Sequence, residues 1–187
     1  MSVAETVSRW QAEENAVLDR HREKGTRQGF LAQDVLHTMS GLEIYRGMVA
    51  GDIALTPIFE TIGYCPIEFE VGRAVFQGRP RHDHCNPLGI VHGGWFGVLL
   101  DQAVGTAIHT ALPRGRVPTT LEIKTNIVRP LTTENGPVRA EGKVVHLGSR
   151  VVTAEGRLTG PDGKLYAHCS TTCMVVAPPE PGGRING

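Results

Sequence analysis

The run Asn86-Pro87-Leu88-Gly89-Ile90-Val91-His92-Gly93-Gly94-Trp95-Phe96-Gly97-Val98-Leu99-Leu100-Asp101 decides how this chain is read. A His-Gly-Gly turn opens an apolar segment, and a single carboxylate lies two helical turns inside it. Backbone N–H groups at a helix start favour negative charge. A carboxylate on an otherwise apolar helix is costly unless it has partners or a task. Together these features point to a site that stabilises an oxyanion and activates water.

Outward from that run, the apolar pattern predicts a helix from Gly93 to about Leu112, closed by Pro113 and Gly115. Upstream, Ile67, Phe69 and Val71 alternate with polar residues, and Gly72 separates them from Ala74-Val75-Phe76, a hairpin pattern. Downstream, Thr119 to Arg129 alternates Leu121, Ile123, Thr125 and Ile127 with polar neighbours. Val138–Leu147 and Arg150–Thr159 flank Gly148-Ser149, a two-residue hairpin signal, and Pro161-Asp162-Gly163 turns the chain into a strand from Lys164 to Val176. An antiparallel sheet must bury one face, and only one long apolar helix is available to cover it. The expectation is an α+β hotdog fold, a curved antiparallel sheet wrapped around one buried helix. Before it, Ala4–Arg22, Gln33–Ala50 and Pro57–Ile62 are predicted helices, the second a single amphipathic one. The organisation expected is a helical extension over 1–64, the hotdog domain over 65–177 and a flexible Pro/Gly-rich tail over 178–187.

On the helix face of Asp101 lie Gly94, Gly97 and Gly105, so that face is an open trough or a close helix-packing seam. Gly93 and Gly94 sit in the first turn, where backbone donors are unpaired. They either approach a ligand or merely relieve crowding. Asn86 can donate its amide to a carbonyl or water, or serve the turn that precedes Pro87. His92 faces a ligand or bonds the backbone of the turn. His82-Asp83-His84-Cys85 is spaced too tightly for one ion on an extended strand, and no metal is expected. No Gly-x-Ser-x-Gly elbow or phosphate loop occurs.

Lys plus Arg and Asp plus Glu each number 19 in 187 residues, so no broad field draws nucleic acid or an anionic membrane. No apolar run reaches transmembrane length and the charged N-terminus lacks a signal-peptide core, so a cytoplasmic protein is expected. The four cysteines form no Cys-x-x-Cys pair and are read as reduced thiols.

Taken with Thr120-Leu121-Glu122-Ile123-Lys124 and Arg129-Pro130, the run from Asn86 to Asp101 resembles the hotdog-fold acyl-CoA thioesterases of the phenylacetate-degradation (PaaI-like) group, over roughly Cys65 to Val176. The resemblance implies that Asn86 and the Gly93 amide face the thioester from one subunit. Asp101 and Thr120 then come from its partner, with Thr119 one position away. It implies that Asp101 is general base or nucleophile, in a dimer or dimer of dimers with the site between subunits. No cofactor is expected, coenzyme A being part of the substrate. His92, Gly94, Thr119 and Gly148 are candidate substrate contacts. Arg129 and Arg150 are candidates for the phosphate end of coenzyme A, or solvated surface arginines. The alternatives are a hotdog dehydratase of hydroxyacyl thioesters and a non-catalytic acyl-CoA binding module.

Overall fold

The computed structural model describes residues 2–178. Four helices, α1 (Val3–Lys24), α2 (Gln33–Thr38), α3 (Gly41–Ala50) and α4 (Pro57–Ile62), precede the hairpin strands β1 (Tyr64–Glu70) and β2 (Arg73–Gly78). The long helix α5 (Gly93–Ala111) follows, then β3 (Val117–Ile127), β4 (Val138–Leu147), β5 (Val151–Thr159) and β6 (Leu165–Val176). The six strands form one antiparallel sheet in the order β1-β2-β4-β5-β6-β3. This is the hotdog fold. The expected flexible tail lies outside the described residues except for Pro178, which is buried.

Helix α5 packs against every strand. Trp95, Phe96, Leu99, Leu100, Ala103, Val104, Ala107 and Ile108, recurring at helical spacing, are all buried against the sheet. The approach is closest where Gly142 of β4 and Gly156 of β5 face each other across the ladder. A Cβ on Gly142 would run into the Ala103 carbonyl, and one on Gly156 would lie 2.8 Å from Val104 Cγ1. Gly142 is glycine because helix backbone and strand backbone nearly touch there, and Gly156 because the Cys169, Val104 and Leu100 side chains fill the space a Cβ would need.

The expected single helix over 33–50 is two helices. Apolar spacing continues through Met39, but Ser40 starts a new helix: its hydroxyl accepts the Glu43 N–H, and the Glu43 carboxylate accepts the Ser40 N–H at 2.7 Å. That Ser-x-x-Glu capping box is written in the sequence, and the periodicity conceals it. Helix α1 is tied to the sheet by Glu14, which accepts from Arg79 Nε at 2.7 Å and from the buried Gln77.

Strand β3 sits at the sheet edge with β6 as its one neighbour. Its alternation breaks at a bulge between Thr120 and Glu122, which leaves Leu121 56% exposed; Ile127 and Val128 just beyond are also exposed. A long edge with apolar side chains in solvent is a pairing surface that folded proteins normally cover.

Replacing Gly142 by alanine should therefore cost about 1–3 kcal/mol, since neither backbone can yield. It should lower the denaturation midpoint at unchanged slope; an unchanged midpoint would show that the helix can lift away from β4.

Candidate active site

The segment before α5 is a sequence of tight turns. Asn86 Oδ1 accepts the N–H of Leu88 at 2.9 Å and of Ile90 at 3.4 Å, while Asn86 N donates to the Ile90 carbonyl. The amide oxygen is thus spent on the turn, and the Nδ2 hydrogens have no partner among the described residues. His92 is the N-cap of α5: its Nδ1 accepts the Gly94 N–H at 2.9 Å. The Gly94 N–H is therefore taken by His92, which bonds the backbone of the turn, one of the two roles expected of it. The Gly93 N–H makes no hydrogen bond among the described residues, and Gly93 is exposed. In the His82–His84 turn, His84 is buried, its Nδ1 accepting from Arg81 N–H and its Nε2 facing the Thr61 carbonyl at 3.2 Å.

Two turns into α5, Thr120 Oγ1 donates to Asp101 Oδ1 at 3.1 Å. Thr119, its neighbour, lacks that bond and lines the same cavity. Burial raises the Asp101 carboxyl above its ordinary range, and the Thr120 hydrogen bond opposes the rise in part. A Cβ on Gly97 or Gly105 would meet nothing within 4 Å, so the glycine face is open there, whereas one on Gly94 would lie 3.1 Å from His92 Nδ1. In front of it lies a cavity of about 630 Å³ whose walls include Asp101, Gly105, Thr119 and Thr120. A pocket of this volume suits a small organic ligand.

The remaining candidates do not gather at this cavity within one chain. Eight residues separate Gly93 from Asp101, a rise of about 12 Å, so one carbonyl group cannot touch both in a single copy. Arg129 donates from Nε to the Leu165 carbonyl at 3.4 Å and lies over the Tyr166 ring. The Arg150 carbonyl instead accepts the Val175 N–H at the other end of β6. Nine positions of strand put those ends roughly 30 Å apart. Gly148 and Arg150, in a three-residue turn rather than the two-residue one expected, line a separate cavity with Arg116.

Sequence reasoning missed another wall of the Asp101 cavity: Leu31 from the segment before α2, Leu36 from α2, Tyr45 from α3, and Gln102, Thr106 and His109 from α5. Helical spacing from Asp101 points to Gly105 and His109, so that part was open to discovery. The contribution of residues 31–45 depends on long-range packing that no local pattern encodes.

Comparison with known proteins gives this geometry its context. The Thioesterase superfamily matches residues 88–167. A protein of Saccharolobus solfataricus named as an esterase is 33% identical over 110 residues, 59% of this chain and 76% of its own length. The chain belongs to the thioesterase superfamily. A 1,4-dihydroxy-2-naphthoyl-CoA hydrolase of Listeria monocytogenes is 28% identical over 63% of this chain and 92% of its own. A mutant structure of the phenylacetic acid degradation protein PaaI from Thermus thermophilus, 30% identical, superposes with a TM-score of 0.57 over 63% of this chain and 97% of that one. These relatives support thioester hydrolysis as the general activity of the superfamily member described here. The matched residues include Gly93, Asp101 and Thr120, while the helices before β1 fall outside them.

Because the folded chain raises the Asp101 pKa, it binds the proton more tightly than the unfolded chain does. The wild type then loses stability as pH climbs from the unfolded to the folded value. Asp101→Asn keeps an acceptor for Thr120 and removes this loss. Thermal melts should show the variant at or above wild type at neutral pH, with the gap closing in acid; a variant less stable at neutral pH would contradict the burial cost.

Proposed function

We propose that the protein hydrolyses acyl-CoA thioesters to the free acid and coenzyme A, at a site completed by a second copy of the chain. The observation that carries this reading is Asp101: a half-buried carboxyl, raised by burial, held by Thr120 and open onto a cavity, in a thioesterase-superfamily chain.

The unpaired edge of β3 supports the pairing. A Cβ on Gly93 would lie 3.2 Å from Ile127 Cδ1, so the free amide belongs to one end of β3, whereas Asp101 is bonded to Thr120 near the other. Two β3 edges joined antiparallel about a two-fold axis beside Ile123 and Lys124 bring residue 127 of one copy against residue 120 of the other. The Gly93 N–H and the Asn86 amide of one copy then face Asp101 of the other. The same axis carries Arg129 of one copy toward the sheet end that holds Arg150 of the other, where both serve the phosphates of coenzyme A. This contact is isologous, as in most homodimers.

In the reaction the thioester carbonyl oxygen accepts from the Gly93 N–H and from Asn86 Nδ2. A preorganised donor of this kind is worth about 3 kcal/mol when negative charge develops on that oxygen. Asp101, ionised, either takes a proton from a water held beside Thr120, so that hydroxide adds to the carbonyl carbon, or adds to it directly. In the first route the tetrahedral intermediate collapses, the C–S bond breaks, and the coenzyme A thiolate leaves and is protonated. In the second, an acyl-aspartyl anhydride is hydrolysed afterwards. A thiolate is a good leaving group because a thiol is a far stronger acid than an alcohol. The free thiols of Cys65, Cys85, Cys169 and Cys173 are in keeping with a cytoplasmic setting, and no described helix is long and apolar enough to cross a membrane. The dehydratase alternative is less well supported, since His92 commits its Nδ1 to the Gly94 N–H.

Asp101→Asn should lower release of free thiol from acyl-CoA by roughly a hundredfold to ten-thousandfold without loss of folding. Retained activity would remove Asp101 from the reaction. In the wild type, activity should rise with pH along an acid limb above the ordinary carboxylate range, since the carboxyl must be ionised and burial raises its pKa.

Mixing Asn86→Ala and Asp101→Asn chains tests the shared site directly. With random pairing half the dimers are mixed and each mixed dimer has one intact site, so roughly a quarter of wild-type activity should return. No recovery in verified mixed dimers would place the whole site in one chain.

A further inference from the structure

The cavity beside Asp101 has a distinct far end. Its buried polar side chains, taken one at a time, are satisfied by each other with a single exception. Tyr64 Oη donates to Gln102 Oε1 at 3.1 Å, and Gln102 Nε2 donates to Thr106 Oγ1 at 3.0 Å. Thr106 is also the hydrogen-bond partner of the Tyr45 hydroxyl. Asp101 is bonded to Thr120. His109 alone has no hydrogen bond on either ring nitrogen among the described residues, although it is only 7% exposed and lines the cavity. No fully enclosed side-chain nitrogen or oxygen among the described residues lacks a partner, so the unbonded ring nitrogens of His109 are accessible at the cavity wall rather than sealed in the core.

The ring is also held in place. A Cβ on Gly41, the first residue of α3, would strike the His109 backbone and lie 2.7 Å from its Cδ2. The Tyr45 ring meets it edge-on, with centroids 5.7 Å apart. Burial drives the imidazole pKa down to about 4, so at neutral pH it is uncharged, with one nitrogen a donor and the other an acceptor. Leu31, Leu36 and Tyr45 line the same cavity with apolar and aromatic surface, and all three lie outside the residues matched by the superfamily.

From Asp101 to His109 is eight residues of helix, a rise of about 12 Å. A thioester carbonyl at Asp101 and an extended acyl chain along the cavity would bring the chain's far end to the imidazole. We infer that His109 is a specificity-determining residue that hydrogen-bonds an oxygen at the distal end of a medium-length, otherwise apolar acyl group, so that the preferred substrates are acyl-CoA thioesters with a terminal hydroxyl or carbonyl. This rests on the acyl-CoA hydrolase reading above. An apolar pocket alone discriminates weakly between chains, whereas a site built around an unpaired polar group penalises substrates that leave it unpaired.

The test compares kcat/KM for octanoyl-CoA and ω-hydroxyoctanoyl-CoA, with butyryl-CoA as a short reference, by free-thiol release. The wild type should favour the hydroxylated octanoyl thioester by more than tenfold. His109→Phe should bring that ratio to one or below, and His109→Gln, which retains a donor and an acceptor, should restore part of it. Equal kcat/KM in the wild type, or a preference that survives in His109→Phe, overturns the assignment of His109 alone. Should His109→Phe fail to fold, the wild-type ratio and the Gln variant still decide. No thiol release from any of the three thioesters would instead end the hydrolase reading, and this inference with it.

Discussion

The contact between α5 and the sheet at Gly142 and Gly156 governs the rest of this structure. A helix that touches strand backbone cannot rotate or slide without collision, so each position along it is fixed relative to each strand. That rigidity sets Asp101 within hydrogen-bond reach of Thr120 on β3. It also aims the N-terminus of α5, with its free Gly93 amide, at the C-terminal end of the same strand. The groups of the site stand on regular elements, and only Asn86 stands on a turn. That turn is closed by its own side-chain oxygen, so it too is held in one geometry.

The polar groups on this frame are held at a cost. Asp101 lies where burial disfavours its charge, and its one protein hydrogen bond compensates in part. Gly93 presents an N–H with no partner among the described residues, while the neighbouring Gly94 amide is capped by His92. The cap is selective: it satisfies one donor of the first turn and leaves its neighbour available. A histidine suits this role because its Nδ1 reaches forward to accept from the second helical residue.

Much of this was legible in the sequence because the patterns are local. Glycine and proline punctuation gave the hairpin β1–β2 and the end of α5, and the one long apolar segment required a sheet to bury it. The division of 33–50 was legible too, in Ser40 and Glu43, but the continuing apolar spacing masked it. What stayed hidden depends on contacts between distant segments. Leu121 faces solvent because a bulge shifts the β3 register, and no residue type announces a bulge there. Arg129 and Arg150 look like a pair in a list of cations, and only the strand order separates them by the length of the sheet. Nor could spacing reveal that the Asn86 side-chain oxygen is consumed by the turn while its Nδ2 has no partner among the described residues.

The helices before β1 alter what the cavity can hold. On the sheet side it is bounded by β3 and on the helix side by α5, both common to the fold. Leu31, Leu36 and Tyr45 add an apolar and aromatic wall to it, beside His109 on α5. Each added wall residue puts more of a bound acyl group against protein rather than solvent. There, one hydrogen-bonding group affects affinity more than several additional apolar contacts. The reacting groups and the selective groups of this chain therefore sit on different parts of it: the first on α5, β3 and the turn at Asn86, the second where α3 packs on the last turn of α5. Substitutions among residues 31–45 can then retune the acyl group without disturbing the carboxylate or the amide that act on the thioester.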